Sequence, residues 1–135
     1  MDDGGIGRLQ KRFAAIPKAI RDEVQPSLTR NSDNLAKLMK QLAPEEEGDL
    51  RESIRVEQGP HELSRVVLAG GEKTTREVRT GSGVTYDYAM AQELGTKDMP
   101  ANPYFYPAKR LLAKRTRNSL KAAVRKAVKK HWGKP

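Results

Sequence analysis

Residues 88–108 read YAMAQELGTKDMPANPYFYPA. The first seven predict a short helix that ends at Gly95, because glycine readily adopts the positive φ that stops a helix. Three prolines then predict an extended link, since proline fixes φ and removes a backbone donor. Near its end lies the cluster Tyr104-Phe105-Tyr106, which contains half of the chain's six Phe and Tyr residues. This cluster should pin the following helix to the sheet within one subunit, contact a neighbouring subunit, or do both with different residues.

A basic amphipathic helix is predicted after the link, from about residue 107 to residue 131. Apolar and small side chains recur through it at helical spacing, which indicates one buried face. They are Leu111, Leu112, Thr116, Leu120, Ala123, Val124, Ala127 and Val128. Most other positions carry Lys or Arg, so the remaining surface of the helix must lie in a polar environment.

Residues 1–43 are predicted to be helical. Apolar residues recur at steps of three and four from Ile6 to Ile20, and Pro17 interrupts this pattern. Because proline clashes with the preceding turn but suits the first turn of a helix, a first helix should end near Ala15 and a second should begin at Pro17.

The second helix contains a candidate break. Pro26 and the polar run at residues 31–34 predict a kink or a restart, with Ser32 or Asp33 as the cap of a new helix. The helical pattern itself continues to Ala43, which is followed by another proline.

Residues 44–86 have the pattern of a small antiparallel sheet. Ile54 and Val56 alternate with polar residues, and residues 63–69 have an apolar centre at Val66-Val67-Leu68. Residues 74–80 are β-branched and alternating, and residues 84–86 begin another strand. Turn sequences separate these segments: Gly59-Pro60, Gly70-Gly71 and Gly81-Ser82-Gly83. The predicted fold class is therefore α+β, with N-terminal helices, an antiparallel sheet of three or four strands, and a long basic C-terminal helix.

The length of 135 residues suits one domain, residues 1–135. Its predicted parts are a helical part (1–43), a sheet (44–86), a short helix with the link (87–107) and the C-terminal helix (108–131). The net charge is +9, and residues 109–135 hold 11 of the 26 cations and no acid, so the whole excess lies there. No segment approaches the roughly 20 apolar residues of a membrane span, so we expect a product made in the cytoplasm and no membrane contact.

The sequence offers little for catalysis or metal binding. It contains no cysteine, and neither His61 nor His131 has an acidic neighbour at ligand spacing. The acids at residues 45–47 favour a solvated charge run over a cation site. Residues 70–74 lack the Gly directly before Lys that a phosphate loop needs, and residues 81–83 lack the context of a nucleophile elbow. We therefore expect no enzymatic activity, no metal and no cofactor.

Ten cations of the C-terminal helix form a candidate basic patch. They are Lys109, Arg110, Lys114, Arg115, Arg117, Lys121, Arg125, Lys126, Lys129 and Lys130. Such a patch suits nonspecific contact with DNA, docking to an acidic partner protein, or a solvated face. No helix-turn-helix, zinc or ribbon signature accompanies it, which disfavours base-specific readout. Nonspecific DNA binding is the main alternative to a structural function.

Two motifs in register carry a family resemblance. The first places Ala-Pro at 43–44 before Gly-Asp-Leu-Arg-Glu-Ser-Ile at 48–54. The second joins Tyr-Ala at 88–89, Glu-Leu-Gly-Thr at 93–96 and Pro-Ala-Asn-Pro-Tyr-Phe-Tyr-Pro-Ala at 100–108. Across residues 17–130 the chain resembles the phage tail-completion or neck proteins typified by the tenth gene product of a lambda-like coliphage. Leu94 stands where that family usually has an aromatic residue, and Tyr104 where Phe is common.

The resemblance implies a structural virion protein at the head-tail junction. It implies a ring of identical subunits, expected to be a hexamer, that contacts a neck, stopper or adaptor protein and the major tail protein, with nonspecific contact to passing DNA. Tail terminator and head-side connector both remain open, as do phage, prophage and gene-transfer agent. The motif residues expected at the subunit interface are Gly48, Leu50, Arg51, Ser53, Tyr88, Glu93, Gly95, Thr96, Pro103, Tyr104, Phe105 and Pro107.

Overall fold

The computed structural model describes residues 4–8, 11, 17–44, 48–78 and 81–131. The elements, in chain order, are α1 (Lys18–Leu42), α2 (Gly48–Ser53), β1 (Arg55–Gln58), β2 (Arg65–Leu68), β3 (Thr75–Glu77), β4 (Thr85–Asp87), α3 (Tyr88–Leu94) and α4 (Phe105–His131). A 3-10 turn, Glu72–Thr74, precedes β3. This arrangement confirms the predicted α+β class. The segment assigned to the sheet, 44–86, also contains the short helix α2.

Helix α1 is continuous, so the predicted restart at residues 31–34 is wrong. Asn31 and Ser32 lie inside the helix and are buried. Their side chains donate hydrogen bonds to the preceding turn: Asn31 Nδ2 to the Ser27 carbonyl at 2.7 Å, and Ser32 Oγ to the Leu28 carbonyl at 3.0 Å. Because these polar groups are satisfied within the helix, they do not need to end it.

The two prolines of this region have different positions in the structure. Pro17 precedes the first residue of α1, and its carbonyl accepts hydrogen bonds from Ile20 N and Arg21 N, so the predicted helix start is confirmed. Pro26 lies within α1 and is exposed to solvent. Residues 6–8 and 11 are helical, and the predicted end of the first helix near Ala15 lies outside the described residues.

Helices α1 and α4 pack side by side in antiparallel orientation. The beginning of α1 contacts the end of α4, where Ile20 and Val24 pack on Ala127. The end of α1 contacts the beginning of α4, where Met39 shares a buried cluster with Ala108. The buried face of α4 therefore follows the predicted helical spacing, although Leu111 and Val124 of the predicted stripe are exposed.

The described residues form four antiparallel strands, within the predicted three or four, but these are divided between two sheets rather than joined in one. Strand β1 pairs with β2, with Val56 opposite Val67, and β3 pairs with β4, with Arg76 opposite Tyr86. The connection from β2 to β3 contains Gly70-Gly71, both at positive φ, followed by the 3-10 turn. This sharp turn directs β3 away from β2, so the two do not pair.

The principal core lies where α1, α2, α3 and the start of α4 meet. Its largest fully buried side chains include Tyr104, Met39, Leu50 and Ile54. The whole buried cluster draws on four separated segments of the chain, residues 36–43, 50–54, 89 and 104–108. The core therefore fixes the link before α4 relative to the first motif.

Candidate assembly surface

Asp87 fixes the start of α3. Its carboxylate accepts hydrogen bonds from Ala89 N and from Thr74 Oγ1, each at 2.8 Å. A side chain at Gly70 would place its Cβ 2.5 Å from Asp87 Oδ2, so only glycine fits beside this carboxylate. One acid thus ties the 3-10 turn to the start of α3.

Glu93, near the end of α3, caps a different helix. Its Oε1 accepts hydrogen bonds from Tyr104 N at 3.0 Å and Phe105 N at 2.6 Å, and its Oε2 accepts one from Tyr106 N at 3.4 Å. The first N–H groups of a helix have no partner within the helix, and its N-terminus favours negative charge. The buried Glu93 carboxylate therefore holds α3 against the start of α4.

Gly95 allows the chain to leave α3 and fold back. Its φ is 78°, and a Cβ at this position would lie 2.8 Å from Ala101 N. Further along the link, Asn102 N donates a hydrogen bond to the Gln92 carbonyl at 2.8 Å. The predicted role of Gly95 in ending the short helix is confirmed, and the close approach to Ala101 gives a second reason for glycine.

Tyr104 anchors the link in the core. Its ring is buried and its hydroxyl donates a hydrogen bond to the Ala89 carbonyl at 3.0 Å. Burial, followed by the negative charges of Glu93 and Asp87, raises the pKa of this phenol above its ordinary value. Phe105 packs edge-on against Tyr104, with ring centroids 6.4 Å apart. The aromatic cluster therefore does pin α4 within the subunit.

A surface groove lies beside this anchor, and we call it the corner groove. It has a volume of about 250 Å³. Its floor is formed by the last residues of β2, by Tyr104 and by Phe105, and its rim by α3 and Tyr106. Three rim side chains are largely exposed: Met90 at 64%, Leu94 at 65% and Tyr106 at 49%. The groove is thus an apolar surface on a frame that Glu93 and Tyr104 hold in place.

The first motif contributes buried residues to the core. Leu50 is fully buried, and Ser53 Oγ donates to the Leu50 carbonyl at 2.6 Å while accepting from Gly70 N at 3.0 Å. Arg51 Nη2 donates to the Ala43 carbonyl at 3.5 Å, and Gly48 begins α2 with its surface exposed. Because Leu50 and Tyr104 share one core, the two motifs meet in space.

The predicted interface residues therefore differ in burial. Several support the frame, since Leu50, Ser53, Glu93 and Tyr104 are buried. Thr96 and Pro103 are exposed on the link, whereas Tyr88, Phe105 and Pro107 are half-buried. Sequence reasoning missed Met90, although its spacing of four from Leu94 places both on one side of α3.

The basic patch is exposed throughout. All ten of its predicted members lie on α4 and are exposed. Within the part of the chain that the structure describes, only Lys130 among them forms an ion pair, with Glu23 at 2.6 Å. His131 Nε2 lies 3.2 Å from the same carboxylate. Hydrogen bonds from Lys130 and then His131 lower the pKa of Glu23.

The described residues contain no group of three or more His, Cys, Asp and Glu side chains that could hold a metal ion. His61 is half-buried rather than fully exposed, and its Nδ1 accepts a hydrogen bond from Leu63 N at 3.0 Å. No helix among the described residues is long and apolar enough to cross a membrane.

The fold and surface define a small α+β protein in which paired long helices support an apolar groove. Residues 7–95 match the family model described as "Bacteriophage HK97-gp10, putative tail-component", and the chain belongs to this family of phage tail components. The predicted family resemblance is confirmed, with the match extending from before α1 to the end of α3. No curated protein and no solved structure matches the chain. Neither the fold nor the family match supports the alternative function, nonspecific DNA binding.

Proposed function

We propose that this tail component forms a ring at the head-tail junction, where it completes the tail and joins it to the neck. The corner groove carries the proposal. Exposed apolar side chains gathered around one depression are typical of protein contact sites, and here Met90, Leu94 and Tyr106 surround such a depression. We assign this surface to the contact between copies of the chain, with the hexamer as the expected closed form.

The contact we propose is heterologous, meaning that two different surfaces of the chain meet. Val78 and Val84 provide a second exposed apolar surface, on the hairpin of β3 and β4. They face each other across that hairpin, where Val78 N donates to the Val84 carbonyl at 2.8 Å. The hairpin of one copy can fill the groove of the next, and repetition of such a contact closes a ring when the rotation allows it.

The proposal requires neither catalysis nor a cofactor, because shape and contacts do the work. One face of the ring would meet the neck, stopper or adaptor protein, and the other the major tail protein. The assembled protein would lie in the virion. Membership of a tail-component family supports contacts with other virion proteins, and the rigid support of the groove by Glu93 suits a fixed subunit geometry.

Complementation of a phage that lacks the gene tests the proposal. We expect the deletion to give DNA-filled heads and unjoined tails in electron micrographs, and the wild-type gene to restore joined particles. Leu94→Asp should fail to restore them, because a carboxylate on the groove rim is costly to bury in a subunit contact.

Leu111→Asp is the matched control, since Leu111 is 68% exposed and lies on α4 away from the groove. It should restore joined, infectious particles. Firmly attached, infectious tails in the deletion strain would overturn the junction role. Equal complementation by the two aspartate variants would overturn the assignment of the groove.

A further inference from the structure

Helix α4 carries a straight row of cations that the contact with α1 does not use. Arg110, Lys114, Arg117, Lys121 and Arg125 follow one another at steps of three and four residues, so they lie on one side of the helix. We call this row the basic stripe. From Arg110 to Arg125 it covers 15 steps along the helix, about 22 Å at a rise of about 1.5 Å per residue.

The stripe faces away from α1. Three of its members stand two positions from a residue on the buried side: Arg110 from Ala108, Arg117 from Ser119, and Arg125 from Ala127. Ala108 and Ala127 are fully buried, and Ser119 Oγ accepts a hydrogen bond from Asn31 of α1 at 3.0 Å. A step of two residues rotates the side chain by about 200° around the axis. All five cations are exposed accordingly.

The stripe has no acidic partner within the described part of the chain. None of its five members forms an ion pair there, whereas Lys130 at the end of the same helix pairs with Glu23. Helix α4 itself contains no Asp or Glu. Neighbouring like charges at this spacing repel one another, so a surface that supplies carboxylates would relieve this repulsion.

We propose that the basic stripe docks on a carboxylate-rich surface of another virion protein. Charge complementarity along a helix-length row supports this partner, and the three arginines can each bind a carboxylate with two parallel hydrogen bonds. Val124, 43% exposed beside Arg125, adds an aliphatic contact that a protein can cover and a phosphate backbone cannot. Between Tyr106 and His131 the described part of α4 has no aromatic ring on which a base could stack.

Binding of three immobilised probes to the full chain tests this proposal. The first is a synthetic amphipathic helix with Glu along one face, the second has the same composition in scrambled order, and the third is duplex DNA. At about 150 mM salt, where long-range attraction is screened, the patterned peptide should bind about tenfold more tightly than either other probe.

Two triple variants then locate the surface. Arg117→Glu, Lys121→Glu and Arg125→Glu together should weaken binding of the patterned peptide by about tenfold or more. The matched control reverses Arg115, Lys126 and Lys129, which lie on another side of α4 with the same change in net charge, and should weaken binding less than about threefold. If charge reversal lowers the helix content, glutamine at positions 117, 121 and 125 replaces it. That variant should still bind the patterned peptide more weakly than the matched control does.

The outcomes are distinct. A lower affinity for the patterned peptide that is confined to the stripe variant supports the proposal. Tighter binding of DNA, equal binding of patterned and scrambled peptides, or equal effects of the two triple variants overturns it. None of these measurements depends on ring formation.

Discussion

Replacement of Glu93 by alanine removes the acceptor that joins the end of α3 to the start of α4. The two shorter hydrogen bonds, to Tyr104 N and Phe105 N, are lost together with the negative charge at the helix N-terminus. Hydrogen bonds to charged groups contribute about 1.5–3 kcal/mol each, but the effects of neighbouring bonds do not add fully. We expect Glu93→Ala to lower the free energy of unfolding by about 3 kcal/mol.

Glu93→Gln separates the charge from the acceptor geometry. Glutamine keeps one carbonyl oxygen where Oε1 accepts both shorter bonds, so its expected cost is about 1 kcal/mol, the loss of the interaction between charge and helix terminus. Urea denaturation followed by circular dichroism measures both variants. The slope of the transition should not change, because the same surface is exposed on unfolding. In thermal unfolding, 3 kcal/mol corresponds to a decrease of roughly 10 °C for a chain of this size.

Glu52→Ala is the control, since Glu52 is an exposed acid whose ion pair with Lys73 is also exposed. Exposed pairs contribute about 0–1 kcal/mol, so this variant should stay close to wild type. If Glu93→Ala cost no more than Glu52→Ala, the carboxylate would not hold the two helices together. The account of a rigid frame beneath the corner groove would then be wrong.

Two further substitutions test separate contacts. Gly95→Ala should destabilise the fold by about 2 kcal/mol or more in urea denaturation, because alanine resists positive φ and its Cβ would meet Ala101 N at 2.8 Å. The control Gly48→Ala, whose added Cβ would meet nothing within 4 Å, should be close to neutral. Equal costs for the two substitutions would contradict the argument. Glu23→Gln should lower the melting temperature at neutral pH but not in acid. Because the pKa of Glu23 is lowered in the folded state, its carboxylate stabilises the fold above the ordinary pKa of 4.5, and this contribution disappears as the pH falls through the folded-state value. If Glu23→Gln still melted at a lower temperature than the wild type in strong acid, the electrostatic explanation would be refuted.

The segment around Gly95 was predictable because its signals are local. A glycine that stops a helix, prolines that extend a link and a cluster of aromatics each act on the residues beside them. These signals appear where they were predicted, except that α4 begins at Phe105, so Pro107 lies in the first turn of that helix rather than in the link. The restart in α1 was predicted wrongly for the opposite reason. Asn31 and Ser32 have low helix preference when considered alone, but contacts with α4 and with the preceding turn favour the helix.

The division of the strands into two sheets depended on a longer-range effect. The alternating pattern of residues 54–86 gives the strands but not their partners, and the turn at Gly70-Gly71 determines which strands can meet. The corner groove could not be predicted from the sequence either. Its floor and rim come from β2, α3 and α4, so no single stretch of sequence contains the signal. Glu93 was identified as a motif residue, but its role as a cap for another helix required the fold.

The hydrogen bond between Asn31 and Ser119 has a consequence for the two long helices. Helices that pack only through aliphatic side chains can slide along each other by one turn, about 5.4 Å, and still bury apolar surface. Here such a slip would break the hydrogen bond that the buried Asn31 amide donates to Ser119 Oγ, which is unfavourable. One polar contact near the middle of the pair thus sets the lengthwise alignment of α1 and α4. The positions of the two ends of α4 along α1 are fixed by the same contact.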